Sequence, residues 1–162
     1  MSTVRFIHIS IPEQRLCLRK DNDILFDVPA STAANGPGEV RDSGCTPRGW
    51  HVIRAKVGAL CSVGTVFVGR RPTGEIFSHA LRSRYPHRDW ILTRILWISG
   101  LEPGKNRLGA VDTLRRYIYI HGCPDDVAVG RPGSHGCIRL RNSDVIALFE
   151  QVDVGTRVYI EG

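Results

Sequence analysis

Ser134-His135-Gly136-Cys137-Ile138-Arg139-Leu140 presents a cysteine as a nucleophile is presented, after a glycine and ahead of an apolar alternation. A thiol that attacks a carbonyl needs thiolate character, a nearby base and donors for the oxyanion. Gly136 lets the backbone come close to a substrate. The successive N–H groups of His135, Gly136 and Cys137, with Ser134 beside them, form a candidate oxyanion pocket. Upstream, the apolar run Tyr117-Ile118-Tyr119-Ile120 ends in His121-Gly122. A strand delivering His121 beside a loop delivering Cys137 makes a Cys/His pair, with the sulfur expected to be ionised by help from the imidazole.

The rest of the chain reads as strands of period two. Residues 4–10 and 14–19 alternate around a turn at Pro12-Glu13, and Asp21-Asn22-Asp23 turns into a third strand over 24–28. This predicts an N-terminal antiparallel meander. The Gly-, Pro-, Asn- and Ser-rich stretch 32–49 reads as a loop. Strands follow over 50–57 and 65–68, with a turn at Pro72-Thr73-Gly74, a loop over 78–90 and a strand over 91–98. Another loop at 102–106 precedes the strand that ends in His121. Asn142 or Ser143 caps a helix whose Val145, Ile146, Leu148, Phe149 and Val152 share a face. Gly155 stops it before a last strand over 156–160. The fold class is mainly β with one clear helix beside the cysteine loop, in a single domain over residues 1–162.

Composition narrows the function. The 162 residues are 42% hydrophobic and 23% charged, ordinary for a globular chain. The first ten residues alternate apolar with polar and lack the apolar core of a secretory leader, and no run approaches the ~18 apolar residues of a spanning helix. A cytoplasmic protein without a membrane partner is expected. Five cysteines at positions 17, 45, 61, 123 and 137 make a poor disulfide framework and suit a reducing compartment. Cys17 alternates with Leu16 and Leu18 and reads as inert. The net charge is +6, and 19 of the 22 basic residues are arginines. They are scattered without a nucleic-acid motif, so no nucleic-acid partner is expected. Most read as solvated surface, and an anionic small substrate accounts for the sign equally well. Trp97 reads as core and Tyr119 as sheet packing.

The chain resembles the L,D-transpeptidase catalytic domain, also called the YkuD domain, over most of its length. The match lies in His121-Gly122 followed by Gly133-Ser134-His135-Gly136-Cys137-Ile138-Arg139-Leu140. Weaker echoes are Thr46-Pro47-Arg48-Gly49-Trp50 and Val154-Gly155-Thr156-Arg157-Val158-Tyr159-Ile160. The resemblance implies a β-sandwich-like fold with a short helix next to the catalytic loop. It implies Cys137 as nucleophile, His121 as general base and acid, and His135 as a more structural motif histidine. Arg139 is similar to the family position that meets a substrate carboxylate, and Arg131 sits where a second contact is expected. The implied substrate is a peptidoglycan stem tetrapeptide or muropeptide, cut between meso-diaminopimelate and D-alanine, with no cofactor and no metal.

A thioester formed at Cys137 passes to an amine, giving a crosslink, or to water, giving a tripeptide. With a cytoplasmic location expected, water is favoured and the reading is an L,D-carboxypeptidase of peptidoglycan recycling; the alternative is an L,D-transpeptidase. A rival from the residues alone makes His121, Cys123, His135 and Cys137 four zinc ligands, although their spacing matches no common zinc pattern.

Overall fold

The computed structural model describes residues 4–162. Met1–Thr3, part of the stretch read for a leader, lie outside the described residues. Ten strands form one continuous hydrogen-bonded sheet: β1 (Arg5–Ser10), β2 (Arg15–Lys20), β3 (Asp23–Pro29), β4 (Gly49–Val57), β5 (Thr65–Val68), β6 (Arg71–Ile76), β7 (Ile91–Gly100), β8 (Tyr119–Gly122), β9 (Ile138–Leu140) and β10 (Arg157–Glu161). Among the described residues two α-helices accompany them, α1 (His79–Arg84) and α2 (Asn142–Gln151), with two single 3-10 turns at Gly109–Val111 and Leu114–Arg116. The mainly β expectation holds. No helix among the described residues is long and apolar enough to cross a membrane.

The strand order is β3-β2-β1-β10-β4-β7-β5-β6, and β8 leaves this path by pairing with β7 and β9. The first three strands are the antiparallel meander that the alternation predicts. Ile7, Ile9, Leu16 and Leu18 all point inward and are fully buried, while Cys17 faces the other way. The same core takes Leu96 and Ile98 from β7, Ile120 from β8, Ile138 and Leu140 from β9, and Val145, Leu148 and Phe149 from α2. Strands far apart in the order thus share one interior, so the sheet curls over to cover it with α2 as a lid.

β7 is the branch point. Its register against β8 shifts between Leu92 and Ile95, where Thr93 adopts φ 77°. A β-branched residue there costs on the order of 1–3 kcal/mol and persists only when its neighbours hold it. Two do so: Thr93 Oγ1 donates to Asn142 Oδ1 at 2.6 Å and accepts from Gly64 N–H at 3.0 Å. Before the kink Leu92 pairs with both β5 and β8, and beyond it Ile95–Trp97 pair with both β4 and β8.

Three local expectations are corrected. The 78–90 segment contains α1, started by Ser78 Oγ accepting from Leu81 N–H; its lack of apolar periodicity hid it. Residues 72–74 lie inside β6, and the hairpin turns earlier, at Gly69-Arg70. Asn142 does not cap α2, because Arg141 holds the cap position without a side-chain bond. The Asn142 amide instead donates to Cys123 O and Asp125 Oδ1 at 2.9 and 3.1 Å, tying the helix start to the end of β8. At the far end of α2, Lys56 Nζ donates to Phe149 O and Val152 O, a cation where the helix dipole favours one.

His51 on β4 is wholly buried, with Nδ1–H donating to Gly49 O and Nε2 accepting from Thr113 Oγ1, both at 3.0 Å. Burial pulls its pKa down to about 4. The folded state therefore refuses a proton that the unfolded chain takes near pH 6.5, and stability falls as the pH drops from there toward 4. In urea melts between pH 7 and 4.5, the native protein should lose about 2 kcal/mol more than His51→Gln. Parallel pH profiles for the two proteins would contradict this.

Candidate active site

β8 and β9 run parallel, with Ile120 opposite Ile138 and His121 opposite Arg139. Side chains alternate across a strand. Ile120, Ile138 and Leu140 turn into the core, which leaves Tyr119, His121, Cys137 and Arg139 on the other face. That face is one wall of an open cavity of about 460 Å³, completed by residues that include Arg70, Asp89, Arg116 and His135. The sequence-predicted pair thus lines one cavity, His121 from β8 and Cys137 from the residue before β9, with no hydrogen bond between them among the described residues.

The sulfur is packed rather than presented. Cys137 Sγ accepts from Tyr119 N–H at 3.3 Å and lies 3.4 Å from Tyr117 O, which its S–H can reach. The residue is half-buried, and its side chain packs beside Phe67, Ile95 and Tyr119. Burial pushes the thiol up to about 12, with the Tyr119 N–H only partly offsetting it. The expected ionised sulfur is corrected: at neutral pH this is a thiol. The imidazole offers no cation to change that, because burial lowers the His121 pKa as well.

His121 is nevertheless set up as a base. Its Nδ1 lies 2.6 Å from Gly122 O. A carbonyl only accepts, so the proton is on Nδ1 and the lone pair on Nε2. Gly122 is required by close approach, since a Cβ there would meet Asn142 Oδ1 and Leu92 O within 2.7 Å. The resting pair is a neutral thiol and a neutral imidazole.

The loop carrying Cys137 is clamped from several directions. Ser134 Oγ donates to Cys137 O at 2.5 Å and accepts from Gly136 N–H at 3.1 Å. Thr46 Oγ1 donates to Gly136 O and accepts from Ala33 N–H, both at 2.9 Å. Gly136 itself stands at φ 135°, with Ile118 and Cys45 O close to where a Cβ would be. These bonds correct the oxyanion pocket: the Gly136 N–H is already engaged by Ser134, leaving those of His135 and Cys137 without an acceptor among the described residues. Ser134 is buried and holds the loop.

Arg139 lies on the cavity wall, where Nη1 donates to Gly133 O at 3.1 Å and Nη2 stands 3.6 Å from Asp89. Arg131 is corrected as a site residue: it is exposed and outside the wall. Gly133 and Ser134 are anchored through their N–H groups to Thr32 O, and Arg131 lies before that anchor. Trp97, expected in the core, is half-buried with its indole N–H on Leu114 O, whereas Tyr119 is buried in the sheet and also faces the cavity. The zinc arrangement does not form. Cys123 turns away to Leu140 O, its thiol raised to about 11 by burial, and among the described residues no group of three or more His, Cys, Asp or Glu is placed to hold a metal ion.

Four residues of the site were not singled out from sequence. Thr46 lies in the Thr46–Trp50 stretch, the one available signal. Arg116 donates to Cys45 O at 2.6 Å and Gly38 O at 3.2 Å, binding the 38–45 loop to the cavity. Asp89 and Arg70 carry no motif. A second cavity of about 390 Å³ shares Arg116, Tyr117, Ile118 and His135 with the first and extends past Arg41 and Arg115.

A neutral thiol has a measurable signature. Site-resolved alkylation of Cys137 by iodoacetamide should rise about tenfold per pH unit without levelling off through pH 10, whereas an ordinary thiol levels above about pH 9. A plateau reached by pH 7 would mean a resting thiolate and contradict the neutral pair.

Known proteins extend this picture. The family model described as L,D-transpeptidase catalytic domain, YkuD, matches residues 4–160. Over 43 residues, 26% of this chain, the sequence is 54% identical to the Probable L,D-transpeptidase YbiS of Escherichia coli (strain K12), of which the match covers 14%. Over 41 residues, 25% of this chain, it is 49% identical to the Putative L,D-transpeptidase YqjB of Bacillus subtilis (strain 168), of which 23% is covered. Only a minor part of either relative is therefore spanned. The crystal structure of L,D-transpeptidase 3 from Mycobacterium tuberculosis shares the fold, with a TM-score of 0.60 at 18% identity over 99% of this chain and 62% of that one. With nearly the whole described length matched, this chain belongs to the L,D-transpeptidase catalytic domain family.

Proposed function

We propose that this protein is a cysteine L,D-transpeptidase acting on peptidoglycan stem peptides. The observation that carries the reading is one cavity whose wall holds both Cys137 and a histidine whose Nε2 lone pair is fixed by the Gly122 carbonyl. Donor tetrapeptide lies along that wall with the carbonyl preceding D-alanine at the sulfur. Nε2 of His121 takes the Cys137 proton as the S–C bond forms, so the charge never rests on the buried sulfur. The N–H groups of Cys137 and His135 receive the oxyanion, a type of donor worth on the order of 3 kcal/mol each. Collapse breaks the C–N bond, and the D-alanine amine leaves with the proton from Nε2. An acceptor amine then gives its proton to Nε2, attacks the thioester and returns the sulfur as a thiol.

The sequence alone favoured water at this last step. Two observations support an amine instead. The relatives carry transpeptidase in their names. A second cavity of about 390 Å³ adjoins the first across His135 and Arg116, beside the place the donor takes in this reading. Water remains the competing acceptor, giving the L,D-carboxypeptidase outcome, and the acceptor that reaches the thioester depends on where the protein works.

Purified protein incubated with a tetrapeptide donor and an amine-bearing acceptor stem should release D-alanine and form a crosslinked dimer through a thioester at Cys137. Cys137→Ala should abolish D-alanine release with an unchanged melting temperature. His121→Gln should lower kcat by about 10²–10⁴-fold, the usual range for a general base. Tripeptide as the main product in the presence of acceptor would make it a carboxypeptidase. Turnover by Cys137→Ala would remove the nucleophile from this account.

A further inference from the structure

Three arginines face the cavity, and two are committed to the protein. Arg139 is engaged by Gly133 O and Asp89, and Arg116 by the backbone of the 38–45 loop. Arg70 differs. It stands at the tip of the β5–β6 hairpin, where Val68 pairs with Arg71 and the turn consists of Gly69 and Arg70 alone. Both turn residues are left-handed, at φ 56° and 64°, the two-residue geometry that suits a hairpin's twist. Arginine is an uncommon choice for such a position. Here it swings the side chain back over the cavity wall.

The guanidinium is held in place without being neutralised. Nη1 donates to Tyr119 Oη at 2.9 Å, and the group lies 4.8 Å over the rings of both Trp97 and Tyr117. Trp97 is itself anchored through its indole N–H to Leu114 O. No carboxylate of the described residues pairs with Arg70; the neighbours acting on its charge are two tyrosines. Stacking leaves the edge of the planar fork free, and four of its five N–H donors remain. The anchor is well chosen, because the Tyr119 N–H is the group bonded to Cys137 Sγ. A cationic fork oriented by rings, unpaired and one residue from the nucleophile's own hydrogen-bond partner, is built for an anion on the molecule that acylates Cys137.

We propose that Arg70 is a specificity-determining residue that pairs with a carboxylate of the donor stem peptide. This rests on the acyl-transfer reading above. A donor ending in meso-diaminopimelyl-D-alanine offers two carboxylates, one on the terminal D-alanine and one on the D-centre of the diaminopimelate side chain, and both present the planar acceptor that a guanidinium matches.

The test uses equilibrium binding to the Cys137→Ala protein, which needs no turnover. Three peptides are titrated by calorimetry: the parent tetrapeptide, its C-terminal amide and its side-chain carboxamide. The parent should bind about tenfold more tightly than one of the amides, and Arg70→Gln should bring that ratio to within about twofold. The amide that shows the loss names the carboxylate. Arg70→Lys, with the charge but not the fork, should keep an intermediate ratio. A merely structural arginine would weaken all three peptides alike and leave the ratios unchanged, which would overturn the proposal. Equal binding of all three peptides, or no binding of the parent, would overturn it too. Turnover of the parent by the native protein tests the chemistry separately: an Arg70-dependent ratio without D-alanine release would keep the carboxylate site and sink the acyl-transfer reading.

Discussion

The parallel pairing of β8 with β9 is the constraint on which the site rests. Its register puts Ile120, Ile138 and Leu140 into the core, and period two then leaves Tyr119, His121, Cys137 and Arg139 facing the cavity. A slip by one residue would exchange the faces, sending the sulfur and the imidazole inward and three large apolar side chains outward. Burying such a side chain is worth roughly 2 kcal/mol. The register that aligns the chemistry is therefore fixed by hydrophobic burial rather than by the reacting groups. Ser134, Thr46 and Thr32 add the bonds that carry the loop into this strand at a set height.

The second governing fact is the neutrality of the pair. A buried ion pair must recover several kcal/mol of desolvation per ion, and it does so only with further hydrogen bonds to both partners. The sulfur here has the single N–H of Tyr119 as a donor, and the imidazole's own N–H is spent on a carbonyl. Thiol and imidazole accordingly stay uncharged at rest. Proton transfer then belongs to the attack itself, and the donors at Cys137 and His135 matter because charge appears on the oxyanion and the imidazole together. Arg116, Arg139 and Arg70 make the cavity electropositive around that event, with Asp89 as the opposing carboxylate on its wall.

The parts of the fold that obey period two were legible in the residues. The meander, β4 and the face of α2 follow from alternation or helical spacing, β7 follows from a largely apolar run, and Cys137 with His121 follow from the chemistry of their motifs. What escaped depends on contacts between distant segments. Asn142 looks like a cap because it begins a helix, yet Thr93 and Cys123 recruit its amide. α1 packs only half-buried residues and so carries no apolar stripe. Arg131 and Arg139 look equivalent on either side of the cysteine, and only the anchoring of Gly133 and Ser134 to Thr32 O separates them. Arg70 gave no signal at all, since a Gly-Arg turn announces neither a ring stack nor a cavity.

Nitrogen-15 NMR of His121 in the native protein reads the central claim most directly, because the two ring nitrogens report both charge and tautomer. From pH 7 to 9 we expect a neutral imidazole with its proton on Nδ1. An imidazolium spectrum at pH 7, or a neutral ring with its proton on Nε2, would contradict the account.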